Sequence, residues 1–370
     1  MKTSQYWKKD PISNIIVNSL SNLPTPKSIS FMWNIGFILG IIISLQLITG
    51  LVLSINYIAS RDIAFNSVIH IIRDLDSGWI IRYTHINGAS LFFILLYTHI
   101  GRGLYFNAFI TTPIVWCSGV VIFLTSMATA FIGYVLPWGQ ISFWGATVIT
   151  RIISAIPYVG LTVTQWLWGN FSVSQPTLNR FFSLHFIIPI FIIVLIIIHL
   201  MILHKSGSST PTITNPNLDK IKFYPFFLIK DINPLIIRVI IITTLVSINP
   251  NLLGDVENFN EASPLNTPTH IQPEWYFLYA YAILRAVPSK LGGVILIILS
   301  IICLIPLIFK SRKNTPFINK KFSPLKKIIF WNLARVWIVL TWIGMKPVEE
   351  PFTLIGKIFS FLYFLLIGLI

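Results

Sequence analysis

Residues 85–106, HINGASLFFILLYTHIGRGLYF, and residues 181–204, FFSLHFIIPIFIIVLIIIHLMILH, decide the fold of this chain. Each stretch is almost free of charge and long enough to cross about 30 Å of hydrocarbon, which takes roughly 20 helical residues. Each also carries a pair of histidines separated by the same interval of 14 residues. Because ionisable residues at membrane depth are usually functional, the repeated pattern predicts two membrane helices that hold a bound group between them.

The histidine pairs are His85 with His99 and His185 with His199. Fourteen residues of α-helix make almost four turns, so both members of a pair share one face, about 21 Å apart along the axis. Two such helices side by side would present four imidazoles as two facing pairs at two depths. Iron held by two axial histidines has no open position, which suits electron transfer. The spacing therefore favours two six-coordinate haems stacked across a membrane.

Other uses of membrane histidines remain open at this point. A single histidine could form a hydrogen bond between helices, and four could serve a proton relay or a transition-metal transporter. Relays and transporters usually recruit membrane carboxylates, and the two histidine-bearing spans contain none. A haem protein that only passes electrons, without substrate sites of its own, is a further alternative.

The composition predicts an all-α integral membrane protein with eight transmembrane helices, the first four forming the bundle that holds the haems. Of the 370 residues, 55% are hydrophobic and 11% are charged, whereas a soluble domain has about 25% charged residues. The loop 205–230 divides the chain into a haem-binding region, 1–210, and a C-terminal four-helix region, 211–370. The other predicted spans are 36–55, one within 103–150, 232–248, 291–309, 328–345 and 352–370.

The net charge of +15 follows the membrane topology and does not indicate nucleic-acid binding. With eight spans, 16 lysines and arginines but only three acids fall on the side that holds both termini, and the opposite side is balanced. Positive charge marks the cytoplasm-like side. The chain ends are therefore predicted to face that compartment, and the polar segment 1–10 predicts no cleaved signal peptide.

Small and basic residues near the histidines fit a large flat ligand. Two glycine pairs repeat the 14-residue interval, namely Gly36 with Gly50 and Gly119 with Gly133. Glycine permits close approach to a large ring, although ordinary helix packing also uses small residues. Arg82 and Arg102 each lie three residues from a histidine, where they could pair with haem propionates or simply snorkel to the interface.

Several motifs give the chain a family resemblance through nearly its whole length. They are GYVLPWGQ at 133–140, WGATVIT at 144–150, PEWY at 273–276, LYAYAILR at 278–285 and TWIG at 341–344. In their order and spacing the chain resembles the cytochrome b family, the membrane core of respiratory complex III. The resemblance implies that His85 and His185 ligate the low-potential haem b, and that His99 and His199 ligate the high-potential haem b.

The resemblance also implies two quinone sites. The quinol-oxidation site would comprise Tyr134, Gly145, Ile149, Pro273, Glu274, Trp275 and Tyr276. Oxidation of ubiquinol releases protons, and Glu274 is the carboxylate of that segment that could accept one, unless it is a solvated loop acid. The quinone-reduction site would use His204 and Asp231, with Ser208 and Lys230 as supporting groups.

The family further implies partners and a location. Electrons would leave to a Rieske iron–sulfur protein and a c-type cytochrome subunit of a dimeric complex III, because the chain has no Cys-x-x-Cys-His motif of its own. Ubiquinol oxidation and quinone reduction on opposite sides would be coupled to proton translocation. The expected location is the mitochondrial inner membrane, with both termini in the matrix; a bacterial plasma membrane is the alternative.

Overall fold

The computed structural model describes residues 11–211, 218–310 and 323–370. Within them the helices are α1 Pro11–Ile16, α2 Ile35–Asn56, α3 Ala64–Arg73, α4 Gly78–Tyr105, α5 Ala108–Thr111, α6 Pro113–Val135, α7 Gln140–Arg151, α8 Gly160–Trp168, α9 Gln175–Ser206, α10 Phe226–Ile248, α11 Leu278–Arg285, α12 Lys290–Ile302, α13 Pro324–Gly344 and α14 Phe352–Leu369. A π-helical turn covers Val17–Ser21, and 3-10 turns cover Phe31–Trp33, Ile152–Ala155, Val256–Phe259, Trp275–Phe277 and Pro306–Phe309. Two short strands pair antiparallel, β1 Pro24–Pro26 and β2 Lys220–Lys222, with Thr25 opposite Ile221.

The predicted helical membrane fold is confirmed. In the described ranges, six helices are long and apolar enough to cross a membrane: Phe31–Asn56 and the helices α6, α9, α10, α13 and α14. The count of eight stays a prediction, since it also needs α4, a helix of 28 residues, and α12. Some residues of the predicted basic side lie outside the described residues: Lys2, Lys8, Lys9, Asp10, Arg312, Lys313, Lys320 and Lys321.

Two predicted spans differ from the helices that form. The stretch 103–150 contains parts of α4 to α7, because Pro113 starts α6 and the PWG sequence at 137–139 ends it before α7. Proline suits the first helical turn, where its missing N–H would be unpaired in any case. The predicted span 291–309 is a shorter helix: α12 ends at Ile302, and Pro306 begins a separate 3-10 turn.

The packing sets α4 and α9 against helices that carry glycine. The closest helix pairs are α2 with α4 and α6 with α9, so each histidine helix lies against a neighbour that bears two of the four glycines. A large apolar core joins these helices to the C-terminal ones around Phe93, Ile283 and Leu340. The four histidines are therefore placed by two packed helix pairs, α2 with α4 and α6 with α9.

The C-terminal helices are tied to the segment that follows PEWY. Arg285, at the end of α11, donates hydrogen bonds to the carbonyl groups of Ile343 and Lys346 at 2.8 and 3.0 Å. These carbonyls lie at the end of α13, where the helix leaves its last acceptors without internal donors. A cation near a helix C-terminus is also stabilised by the helix dipole. The LYAYAILR motif therefore anchors the PEWY segment to α13.

Candidate functional site

The first histidine pair faces across the α4–α9 gap. The ring centroids of His85 and His185 lie 6.2 Å apart, with the rings at 85° to each other. Nδ1 of His85 lies 2.9 Å from Thr49 Oγ1, and Nδ1 of His185 lies 3.0 Å from the Thr129 carbonyl oxygen. A hydrogen bond at one imidazole nitrogen leaves the other for a metal. Bonds of about 2 Å from one metal atom to both Nε2 atoms fit the separation of the rings.

The second pair also has a polar neighbour at each Nδ1, but the two hydrogen bonds run in opposite directions. Nδ1 of His199 lies 2.8 Å from Ser118 Oγ. Nδ1 of His99 lies 3.2 Å from the Arg102 guanidinium, which can only donate. A neutral imidazole that accepts at Nδ1 carries its proton on Nε2, so metal binding by Nε2 of His99 would require the Arg102 guanidinium to turn away.

Each of the four glycines faces one histidine. A Cβ added to the glycine would lie at these distances from the histidine Cε1: Gly133 to His185 2.2 Å, Gly50 to His85 3.2 Å, Gly36 to His99 3.4 Å and Gly119 to His199 3.4 Å. The 14-residue register of the glycines thus matches the register of the histidines. The absence of a side chain at each glycine leaves room for the imidazole ring of the facing histidine. A side chain at Gly133 would occupy the same space as His185.

A cavity of about 380 Å³ opens beside the His85–His185 pair. Its lining is mainly apolar and includes Gly50, Gly133 and Arg82. Gln46 also lines it, and the Gln46 Nε2 atom is buried with no hydrogen-bond partner among the described residues. An apolar cleft with a few convergent polar groups is typical of a cofactor site. The cavity and the facing imidazoles fit a flat macrocycle with an axially bound iron.

The two predicted propionate partners, Arg82 and Arg102, form no ion pair within the part of the chain that the structure describes. The Arg102 side chain lies over the Trp33 ring, 5.2 Å from its centroid. Nε of Arg102 and Nε1 of Trp33 are buried, and no described residue accepts a hydrogen bond from either atom. Two adjacent unpaired donors fit an anionic acceptor such as a carboxylate. Sequence reasoning missed Trp33, although its place three residues before Gly36 marks the same end of α2.

Five of the predicted quinol-site residues line a second, much smaller cavity of about 10 Å³, which has room for about one water molecule. They are Tyr134, Gly145, Ile149, Pro273 and Glu274. The sequence did not predict the remaining lining residues, Phe131, Val135, Ser142, Ala146, Gln272 and Phe277. These residues come from α6, α7 and the PEWY turn, which the chain brings together over a long sequence separation.

Trp275 and Tyr276, also predicted for the quinol-oxidation site, do not line this second cavity. Trp275 Nε1 donates to Ser90 Oγ at 3.2 Å. The Tyr276 ring stacks on Phe93 at 4.2 Å and lines the larger cavity. In a 3-10 turn, residues i and i+3 share a face, which agrees with Glu274 and Phe277 both lining the second cavity. Glu274 also lines the larger cavity, where it is joined by Tyr276.

Glu274 is buried and not a solvated loop acid, with only 9% of its surface exposed. Burial raises its pKa to about 7, with a smaller upward contribution from Asp255, while a hydrogen bond with Tyr134 and the charge of Arg82 act in the opposite direction. Its Oε1 atom has no hydrogen-bond partner among the described residues. Glu274 and Tyr134 line both cavities, so they form the wall between them.

The predicted quinone-reduction residues lie near the junction of α9 with α10 but are not linked to one another by hydrogen bonds among the described residues. Asp231 is buried near the start of α10, and Lys230 donates to the Ile29 carbonyl oxygen. His204 lies in the last turn of α9. In the described ranges, no hydrogen bond or ion pair links His204 to Asp231, or Ser208 to either of them. The four residues therefore stay predictions, and part of the loop between α9 and α10, 212–217, lies outside the described residues.

Comparison with known proteins identifies the family. The family model "Cytochrome b/b6/petB" matches residues 20–207, and the model "Cytochrome b(C-terminal)/b6/petD" matches residues 261–364. The chain is also similar to one chain of a solved structure described as "Hyperthermophilic respiratory Complex III". The two are 28% identical with a TM-score of 0.90, and the match covers 99% of this chain and 96% of that chain. The resemblance inferred from the motifs is confirmed, and the family implies binding of b-type haem. The chain belongs to the cytochrome b family.

Proposed function

We propose that this chain is the quinol-oxidising membrane subunit of a respiratory complex III. One observation carries the proposal: the buried Glu274 and its neighbour Tyr134 form the wall between the His85–His185 cavity and the second, smaller cavity. A proton acceptor and an electron-transfer site would thus lie next to each other, with Glu274 between the two cavities. The similarity to a respiratory complex III over 99% of the chain supports the same function.

His85 with His185, and His99 with His199, would hold two haems b. Bound there, the haems would supply one-electron redox chemistry between two quinone sites on opposite sides of the membrane. The protein supplies the axial ligands, and Thr49, Ser118 and the Thr129 carbonyl orient them. Arg82 and Arg102 supply positive charge at opposite ends of α4 for the propionates.

Glu274 would accept a proton from ubiquinol bound among the residues of the second cavity, which would have to move apart to admit the ring because the cavity of about 10 Å³ holds about one water molecule. Oxidation of a quinol releases two protons and two electrons. A carboxyl group with a pKa of about 7 is suited to take and release a proton near neutral pH. One electron would leave to an iron–sulfur partner, and the other would cross to the opposite quinone site. Tyr134, Gly145, Ile149 and Pro273 would bind the quinol ring, and Trp275 and Tyr276 would fix the turn that carries Glu274.

Quinone reduction would take place near His204 and Asp231, on the side with the excess of positive charge. A histidine and a carboxyl group could supply the protons that a reduced quinone takes up, with Ser208 and Lys230 as supporting groups. Proton uptake on this side and release near Glu274 would couple electron transfer to proton translocation.

The partners would be a Rieske iron–sulfur protein and a c-type cytochrome subunit in a dimeric complex. The proposed location is the mitochondrial inner membrane, with both chain termini on the matrix side. The charge distribution that supports this topology includes Lys27, Lys205, Lys220 and Lys222 among the described residues.

Ubiquinol–cytochrome c reductase activity of the purified complex tests the proposal. We expect His185→Ala to abolish the activity, and Glu274→Gln to lower it at least tenfold. Glu257→Gln, at an exposed loop position on the same side, is the control and should leave the activity unchanged. A preparation without visible-region haem absorption would instead favour the histidine-relay transporter. Haem absorption with normal activity in Glu274→Gln would count against Glu274 as the proton acceptor, and haem absorption without any quinol oxidation by the wild-type complex would favour a cytochrome that only passes electrons.

A further inference from the structure

One layer of side chains lies halfway between the two histidine levels. Its members stand seven residues after Gly36, His85, Gly119 and His185, and they are Ile43, Phe92, Ser126 and Ile192. Seven residues make almost two helical turns, so each lies on the same face as the histidines or glycines of its helix. All four are buried, and all four line the cavity beside the His85–His185 pair.

Ser126 is the polar member of this layer. It is only 3% exposed, and its Oγ has no hydrogen-bond partner among the described residues. Other hydroxyls of α6 bond to their own helix: Thr125 Oγ1 donates to the Val121 carbonyl at 3.0 Å, and Thr129 Oγ1 donates to the Thr125 carbonyl at 2.8 Å. An unpaired buried hydroxyl is destabilising. Its place in the cavity lining indicates that the missing partner belongs to whatever fills the cavity.

A bound water is a poor candidate for that partner. A buried water needs two to four polar partners, and the neighbours of Ser126 in the layer are two isoleucines and a phenylalanine. A large ligand held by His85 and His185 would instead extend along the cavity to this layer. In such apolar surroundings a hydroxyl dipole acts strongly on a nearby charge.

We propose that the Ser126 hydroxyl contacts the macrocycle held by His85 and His185 and raises its reduction potential. The inference rests on the proposed function, because it requires haem at that level. A hydroxyl proton directed at the macrocycle stabilises the added electron, and hydrogen bonding from outside the axial ligands is one of the ways a protein sets haem potential. The effect should be confined to this level, since His99 and His199 do not line the cavity.

An optical redox titration of the assembled complex tests the role of Ser126. We expect Ser126→Ala to lower the midpoint potential of the component that is lost in His185→Ala, by about two- to tenfold in the one-electron equilibrium constant, the range that one net hydrogen bond gives. The other component should not shift. Ser126→Thr keeps a hydroxyl and should preserve the potential, whereas Ser126→Val has nearly the same shape as the threonine variant without the hydroxyl and should behave like Ser126→Ala.

Ser360→Ala is the matched control. Ser360 is also buried with an unpaired hydroxyl among the described residues, but it lies in α14 and does not line the cavity. Equal potentials in Ser126→Ala and Ser360→Ala, or an equal shift of both haem components, would overturn the role of Ser126 and leave the proposed function intact. A wild-type complex without two b-type components would overturn the proposed function itself.

Discussion

The imidazole rings of His85 and His185 face each other at a centroid distance of 6.2 Å and are nearly perpendicular. They come from α4 and α9, 100 residues apart in sequence, and each is fixed through Nδ1 by a group on a neighbouring helix, Thr49 on α2 and Thr129 on α6. The protein therefore positions these two imidazoles through its own helix packing. Preorganisation of this kind lowers the cost of ordering the site on binding.

Of the four glycines that face histidines, Gly133, opposite His185, should tolerate substitution by alanine least. Gly133→Ala would place a Cβ 2.2 Å from His185 Cε1, so the ring would have to leave its position. We expect at least a tenfold loss of the haem component ligated by His85 and His185, with the other component retained. Haem content measured by optical difference spectra checks this.

The remaining glycines provide a graded comparison. Gly50→Ala should have a smaller effect at 3.2 Å, and Gly36→Ala a smaller one still at 3.4 Å. Gly40→Ala is the control on the same helix as both, because an added Cβ there has no atom within 4 Å. Equal haem content in Gly133→Ala and Gly40→Ala would contradict the one-to-one pairing of glycines with histidines.

The positive charge of Arg102 should raise the midpoint potential of the haem held by His99 and His199. Arg102 lies one helical turn from His99, and the positive charge favours the reduced state of a nearby haem. We expect Arg102→Gln to lower the midpoint potential of the His99–His199 component and to leave the other component nearly unchanged. Arg335→Gln is the control, since Arg335 is exposed on α13 and bonds to Asn332. A redox titration in which both variants match the wild type would argue against a propionate partner at Arg102.

Quinol oxidation should depend on pH through Glu274. Because burial raises the pKa of this carboxyl to about 7, the group is mostly protonated below that pH and cannot accept another proton. The rate should therefore rise as pH increases through about 7 and then level off. Glu274→Gln should be slow throughout and lose this rise, while Glu257→Gln keeps it. An unchanged pH profile of the Glu274→Gln complex would show that another group accepts the proton.

Substitutions at the proposed quinone-reduction site should slow reoxidation of the haems by quinone. They should leave reduction of the haems by ubiquinol intact. His204→Gln and Asp231→Asn are expected to slow electron transfer from the His99–His199 component to quinone about tenfold, because proton supply is lost. Haem reduction by ubiquinol should remain close to normal. The control is Asp219→Asn, at an exposed position beside β2. Stopped-flow spectra with normal reoxidation in both variants would remove His204 and Asp231 from the proposed site.

The features that the sequence could predict are those that depend on helical periodicity. The interval of 14 residues defines one face of a helix, so the histidine and glycine registers follow from residue spacing alone. Side-chain direction in irregular segments does not follow from spacing. At the 3-10 turn Trp275–Phe277, Trp275 bonds to Ser90 and lines neither cavity, whereas Glu274 lines both, which the linear PEWY motif does not reveal. Nor could the sequence show that Gln46, Trp33 and Ser126 leave polar atoms unpaired, because that depends on neighbours from other helices.

An optical difference spectrum recorded during a redox titration tests the central claim most directly. Membranes containing the wild-type chain should show two b-type haem components of different midpoint potential. His185→Ala should remove one of them and His99→Ala the other. Absence of any haem signal, or loss of the same component in both variants, would contradict the assignment of two haems to the two histidine pairs.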